Sequence, residues 1–155
     1  MYEYFKKEGS DPLFIFETKG GLTYYVTFRK MGTESYPLDN LYSLDFFEIE
    51  NKKGKNDTNI SSTILNIITD FISDNNHIVL HYICESIDLK HTFRRRLFSR
   101  WFSFTNPSNW IKYDINIESP EEYSLTFLYD TTIYDSDLIE PEIILTIDSI
   151  QQVKN

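Results

Sequence analysis

A single cysteine, Cys84, stands in this chain of 155 residues. Without a second thiol an internal disulfide is excluded, and so is a cysteine-based zinc site, which needs several thiolates. Histidine is scarce too, and His77, His81 and His91 form no metal-ligand pattern. His77 and His81 share a strand face but lie too far apart along it to chelate one ion together. No stretch approaches the roughly 20 apolar residues of a membrane span. The opening residues MYEYFKKEGSDP lack the apolar run of a secretory signal. A cytoplasmic location with no membrane partner is the expectation.

Basic residues are almost missing from the C-terminal third. Residues 114–155 hold ten acids and one base, Lys154, and so carry the whole net charge of −9. Residues 1–113 are balanced, with 14 bases and 14 acids. Within them, Asp88–Trp101 has five bases and one acid. The simplest reading is that this basic stretch pairs with the acidic third inside the fold. An acidic chain of this kind is a poor non-specific binder of nucleic acid or anionic membrane.

Apolar bulk, by contrast, is plentiful. Hydrophobic residues make up 41% of the chain, and 12 Phe and 11 Tyr supply large side chains for a core. The pattern predicts strands over 13–18, 22–30 and 41–50. Gly20-Gly21 turns the first pair, and a parity change at Phe47 suggests a β-bulge in the third. A helix follows, with Ile60, Ile64, Leu65, Ile67, Ile68, Phe71 and Ile72 at helical spacing and Asp57 or Asn59 as its cap. Residues 77–84 are apolar on both faces and read as a central strand. A second helix starts near Asp88 and carries Leu89, Phe93, Leu97, Trp101 and Phe104 on one face. Residues 111–117 and 123–129 alternate as a hairpin. After Pro141, the isoleucines suit a short helix opened by the proline, with a strand as the other reading. No repeat or linker divides residues 1–155, which predicts one domain. The fold class is α+β, with an antiparallel-rich mixed sheet of five to six strands, two main helices and a short C-terminal helix.

The order β-β-β-α-β-α-β-β over residues 13–129 resembles the later part of the GNAT acetyltransferase fold. In that fold a glycine-containing loop and a helix N-terminus hold the pyrophosphate of acetyl-CoA. The resemblance implies cofactor binding at Lys53, Gly54, Lys55 and Asn56, before the helix opened by Asp57. The chain departs from the family pattern at Asn56, where a second glycine or alanine belongs. It departs again at Phe98, which lacks the hydroxyl of the usual general acid. A second resemblance rests on Asp57-x-x-Ile60-x-x-Thr63-Ile64, Tyr82-Ile83-Cys84 and Arg94-x-Arg96-Leu97-Phe98-x-x-Trp101-Phe102. These residues are similar to an uncharacterised bacterial family known only as a domain of unknown function. It implies a bacterial cytosolic protein with no assigned activity.

The candidate chemistry centres on the arginine-rich helix. Helical phase places Arg96 and Arg100 beside Leu89 and Phe93, and Arg94 beside Trp101. A buried guanidinium needs an anion. Asp114 or Glu118 would supply it inside the fold, and a bound phosphate or carboxylate is the functional reading for Arg94, Arg96, Arg100 and Trp101. Lys90, His91, Arg94 and Arg95 with Phe98 or Phe102 could instead face nucleic acid, which the acidic remainder opposes. His81 and Cys84 fall on opposite strand faces, and Cys84 in an apolar run is unreactive, so no catalytic residue is assigned. Asp45, Glu48 and Glu50 read as a solvated strand edge or a partner for Arg29. In the GNAT resemblance, that region supplies a general base. Phe98 and Phe102 mark either a partner or dimer surface or a face covered by the segment after Pro141. The functional expectation is a non-catalytic interaction or regulatory module that binds a protein partner or a second copy. The alternative is an acyl-CoA-binding protein or N-acetyltransferase that uses acetyl-CoA.

Overall fold

The computed structural model describes residues 1–9, 11–31, 35–50, 52, 57–75, 77–85, 96, 97, 99, 100, 109–117 and 123–154. Their elements are β1 Tyr4–Lys7, β2 Leu13–Glu17, β3 Thr23–Lys30, β4 Leu41–Glu48, α1 Thr58–Asp74, β5 Val79–Glu85, β6 Trp110–Ile117, β7 Tyr123–Asp130 and α2 Ser136–Lys154. Residues 96, 97, 99 and 100 are also helical. All seven strands join one sheet in the order β1-β2-β3-β4-β5-β7-β6. Every neighbouring pair is antiparallel except β4 and β5. The α+β class and the element order agree with expectation.

The strand count does not, because β1 lies in the polar opening residues. Its pattern is too short and too charged to register as a strand on its own. Pairing with β2, Tyr4 against Phe16 to Lys7 against Leu13, creates it. The expected bulge in β4 is also absent. The β3–β4 register runs unbroken from Tyr24 against Glu48 to Lys30 against Tyr42. The parity change instead reflects apolar groups on both faces of one straight strand. Phe46 is buried on the α1 side, while Phe47 packs its ring 5.8 Å from Tyr25 on the other.

Two apolar layers enclose the sheet. On one face α1 sets Ile60, Ile64, Ile67, Ile68 and Phe71 against Phe14, Phe16, Val26, Phe28, Leu44 and Leu80. On the other face α2 sets Ile139, Ile143 and Ile147 against Val79, Leu125, Phe127 and Tyr129. The alternation of side chains along β5 and β7 sends neighbouring residues into different layers.

Helix α1 is rich in Ile, Ser and Thr, which are indifferent helix formers. Its polar side chains turn back onto the helix. Ser62 donates to the Thr58 carbonyl, Thr63 to Asn59, Thr69 to Leu65 and Ser73 to Thr69. Packing of the isoleucine stripe then supplies most of its stability.

Helix α2 is longer than the short helix expected after Pro141. It spans 19 residues from Ser136, and Pro141 lies inside it. Asp135 starts it, accepting from the backbone of Asp137 at 3.0 Å. Proline fits well only in a helix's first turn, and for that reason the sequence alone suggests an opener here. Burial of Ile139 on one side of it and Ile143 on the other holds the helix through it.

Candidate functional site

Lys53, Gly54, Lys55 and Asn56 lie outside the described residues, as do Arg94, Trp101, Phe98 and Phe102. Their surroundings are described. Asp57 caps α1, its carboxylate accepting from the Asn59 amide at 2.9 Å. The Tyr2 hydroxyl donates to the same carboxylate, and this bond holds the Tyr2 phenol above its ordinary pKa. The Tyr2 amide donates to Thr63 at 2.8 Å, so the residues before β1 are tied to the first turns of α1.

Glu48, at the end of β4, is buried to 7% exposure and accepts from the amides of Glu50 at 2.9 Å and Lys52 at 2.6 Å. This corrects the reading of Glu48 as part of a solvated edge. The sequence places an acid at a strand end, and only the turn after it folds the carboxylate inward. Glu50 is exposed and pairs with the Lys52 ammonium. Two carboxylates therefore already occupy backbone donors on both sides of the 53–56 segment. An incoming phosphate would have to compete with them.

The parallel pairing of β4 and β5 is short. It covers Leu41 against Val79, Tyr42 against Leu80 and Ser43 against His81. Both strands run on beyond these pairs, to Glu48 and Glu85. His81 thus stands at the last rung of this ladder. It is fully buried, and neither ring nitrogen has a hydrogen-bond partner among the described residues. Burial pushes its pKa down to about 4. The nearby Thr126 backbone offsets a little of this without making a hydrogen bond to the ring. A neutral, enclosed imidazole of this kind is a poor general base for an external substrate.

Arg96 and Arg100 are exposed, whereas Leu97 between them is buried in the α1-side layer. Of the two expectations for these arginines, to flank the buried face or to enter it, their exposure fits the first. The helical phase turns Leu97 inward and carries positions 96 and 100 outward. The proposed internal partner Asp114 is engaged elsewhere, with Lys112 at 3.4 Å and with the Thr126 hydroxyl at 2.5 Å. Glu118 lies outside the described residues. Leu97 packs in the α1-side layer, whereas α2 covers the opposite face of the sheet.

Two features escaped the sequence reading. One is a cleft of about 240 Å³ beside the C-terminal end of α1, lined by Tyr4, Lys6, Phe14, Asp70, Phe71 and Asp74. Tyr4 donates to Asp70, and burial followed by that bond pushes the phenol up to about 12. The Lys6 ammonium lies 5.9 Å from the Phe14 ring centre. The other is the outward face of α2, where Leu138, Ile144 and Leu145 are 49%, 50% and 70% exposed. Asp137 and Glu142 stand exposed beside them. Helical spacing was visible for its buried isoleucines, but the second apolar stripe became evident only once the helix extended back to Ser136. Among the described residues no group of His, Cys, Asp and Glu could hold a metal ion, and no helix is long and apolar enough to cross a membrane.

The sequence matches no curated protein. Among solved structures it is similar to one described as "Crystal structure of a putative phosphinothricin N-acetyltransferase", with 15% identity and a TM-score of 0.49, over 83% of this chain and 72% of that one. A family model, "Family of unknown function (DUF6169)", matches residues 56–143, more than half of the chain, and the protein belongs to that family.

Proposed function

We propose that this protein is a non-catalytic interaction module of the bacterial cytosol, and that α2 is its docking face. The observation that carries this reading is the second apolar stripe of α2. Leu138, Pro141 and Leu145 recur at helical spacing opposite the buried Ile139, Ile143 and Ile147. A helix apolar on both sides exposes surface that a partner can cover. The acids Asp137 and Glu142 beside the stripe select a basic, apolar partner segment.

The test uses a labelled amphipathic helical peptide of leucine and lysine, with a leucine–glutamate peptide as control. Fluorescence anisotropy should show binding of the first only. Leu138→Ser with Leu145→Ser should weaken it by about tenfold or more, given two lost apolar anchors. Equal binding by this double variant would remove the reading.

A second reading is acyl-CoA binding, and the short β4–β5 ladder is what favours it. The register between the two strands ends at Ser43 against His81, although β4 runs on to Glu48 and β5 to Glu85, and an extended ligand could follow that end of the ladder. Against it stand the carboxylates of Glu48 and Asp57 on the neighbouring amides. Acetyl-CoA at about 100 times its Kd would add about 2.7 kcal/mol and raise Tm by several degrees. The interaction reading predicts no such rise at millimolar ligand.

A further inference from the structure

The two edges of the sheet are built differently. β1 is four residues long and ends in Lys6 and Lys7, the short, charged form that discourages a further strand. β6, at the opposite edge, is eight residues long, has no proline and no bulge, and pairs with β7 without interruption from Trp110 against Asp130 to Ile117 against Tyr123. Its one basic residue, Lys112, is neutralised by Asp114 on the same strand at 3.4 Å. Ile111, Tyr113, Ile115 and Ile117 face the α2 layer and are only half-buried. Among the described residues no further strand lies against β6.

We propose that β6 pairs antiparallel with β6 of a second copy, about a two-fold axis at Tyr113. The charges on the strand select this register. Centred on Tyr113, the pairing sets each Lys112 opposite the other copy's Asp114 and each Ile111 opposite the other's Ile115. Centred on Lys112 or Asp114, it would set like charges directly opposite, which is destabilising. The two Lys112–Asp114 pairs join across the axis, and the half-buried apolar face of β6 continues into the second copy. The interface is isologous, so it closes at two copies. It uses the sheet edge and not α2, and stands whether or not α2 docks a partner.

Sedimentation equilibrium of the full chain tests this. The expected result is a dimer, with amides 110–117 gaining protection from hydrogen exchange as concentration rises. Lys112→Glu and Asp114→Lys, each checked for native circular dichroism, should each weaken the dimer by about tenfold. The double variant Lys112→Glu/Asp114→Lys, which restores opposite charges across the axis, should recover most of the loss. A monomer at about 0.1 mM overturns the proposal, since specific dimers of this kind bind well below that concentration. A dimer indifferent to both single variants, or one dissolved instead by Leu138→Ser/Leu145→Ser, overturns it as well.

Discussion

The imidazole of His81 lies 4.8 Å, centre to centre, from the ring of Phe127, with the planes inclined by 20°. Both side chains are fully buried, on neighbouring strands of the sheet. The ring is held by stacking and enclosure, with no hydrogen bond to either nitrogen among the described residues.

This arrangement makes stability depend on pH. An unfolded histidine titrates near 6.5, while folded His81 titrates at about 4. Between these values the unfolded chain binds a proton that the folded one refuses. The contribution is therefore complete above pH 6.5, falls as the pH drops, and is gone below about 4. Its size is about 3 kcal/mol, at 1.36 kcal/mol per pKa unit. Urea denaturation across pH 4–7 should show the loss, and His81→Phe should flatten that part of the profile. A variant as pH-sensitive as the parent would refute the assignment.

Leu97 and its two arginine neighbours should behave oppositely. Leu97→Ala removes a buried side chain and should cost about 2–5 kcal/mol. Arg96→Ala and Arg100→Ala act on exposed positions and should each stay within about 0.5 kcal/mol. Chemical denaturation of the three variants decides between outward and buried arginines.

The Asp57 cap predicts a graded effect. Asp57→Ala loses the acceptor for the Asn59 amide and for Tyr2, and should cost about 1–2 kcal/mol. Asp57→Asn keeps a capping oxygen and should lose less. Thermal melting should rank parent, Asn and Ala in that order. Equal Tm values would show that the cap contributes nothing.

Glu48→Ala strands the amides of Glu50 and Lys52 and should cost about 1–3 kcal/mol. Glu48→Gln keeps an acceptor and should recover part of it. A neutral Glu48→Ala variant would place the carboxylate back at a solvated edge.

Much of the fold was legible from neighbours in the chain. The alternation of Leu22, Tyr24, Val26 and Phe28 marked β3, and the spacing of Ile60, Ile64, Ile67 and Phe71 marked α1 with Asp57 before it. β1 was not legible, because only its pairing with β2 distinguishes it from a polar tail. The candidate site was less legible still. Glu48 turns inward through a bend that its own residue type does not dictate. The outward course of Arg96 and Arg100 depended on which side of one helical turn met the core.

Periodicity and capping are local, since a strand or helix face is set by residues a few positions apart, and these the sequence determined by itself. Which layer each helix joins was decided only by the tertiary structure. β5 sits centrally with a short parallel ladder to β4, so successive side chains meet different helices. That placement enclosed His81 with no hydrogen-bond partner among the described residues, and left β6 as an edge against which no further described strand lies.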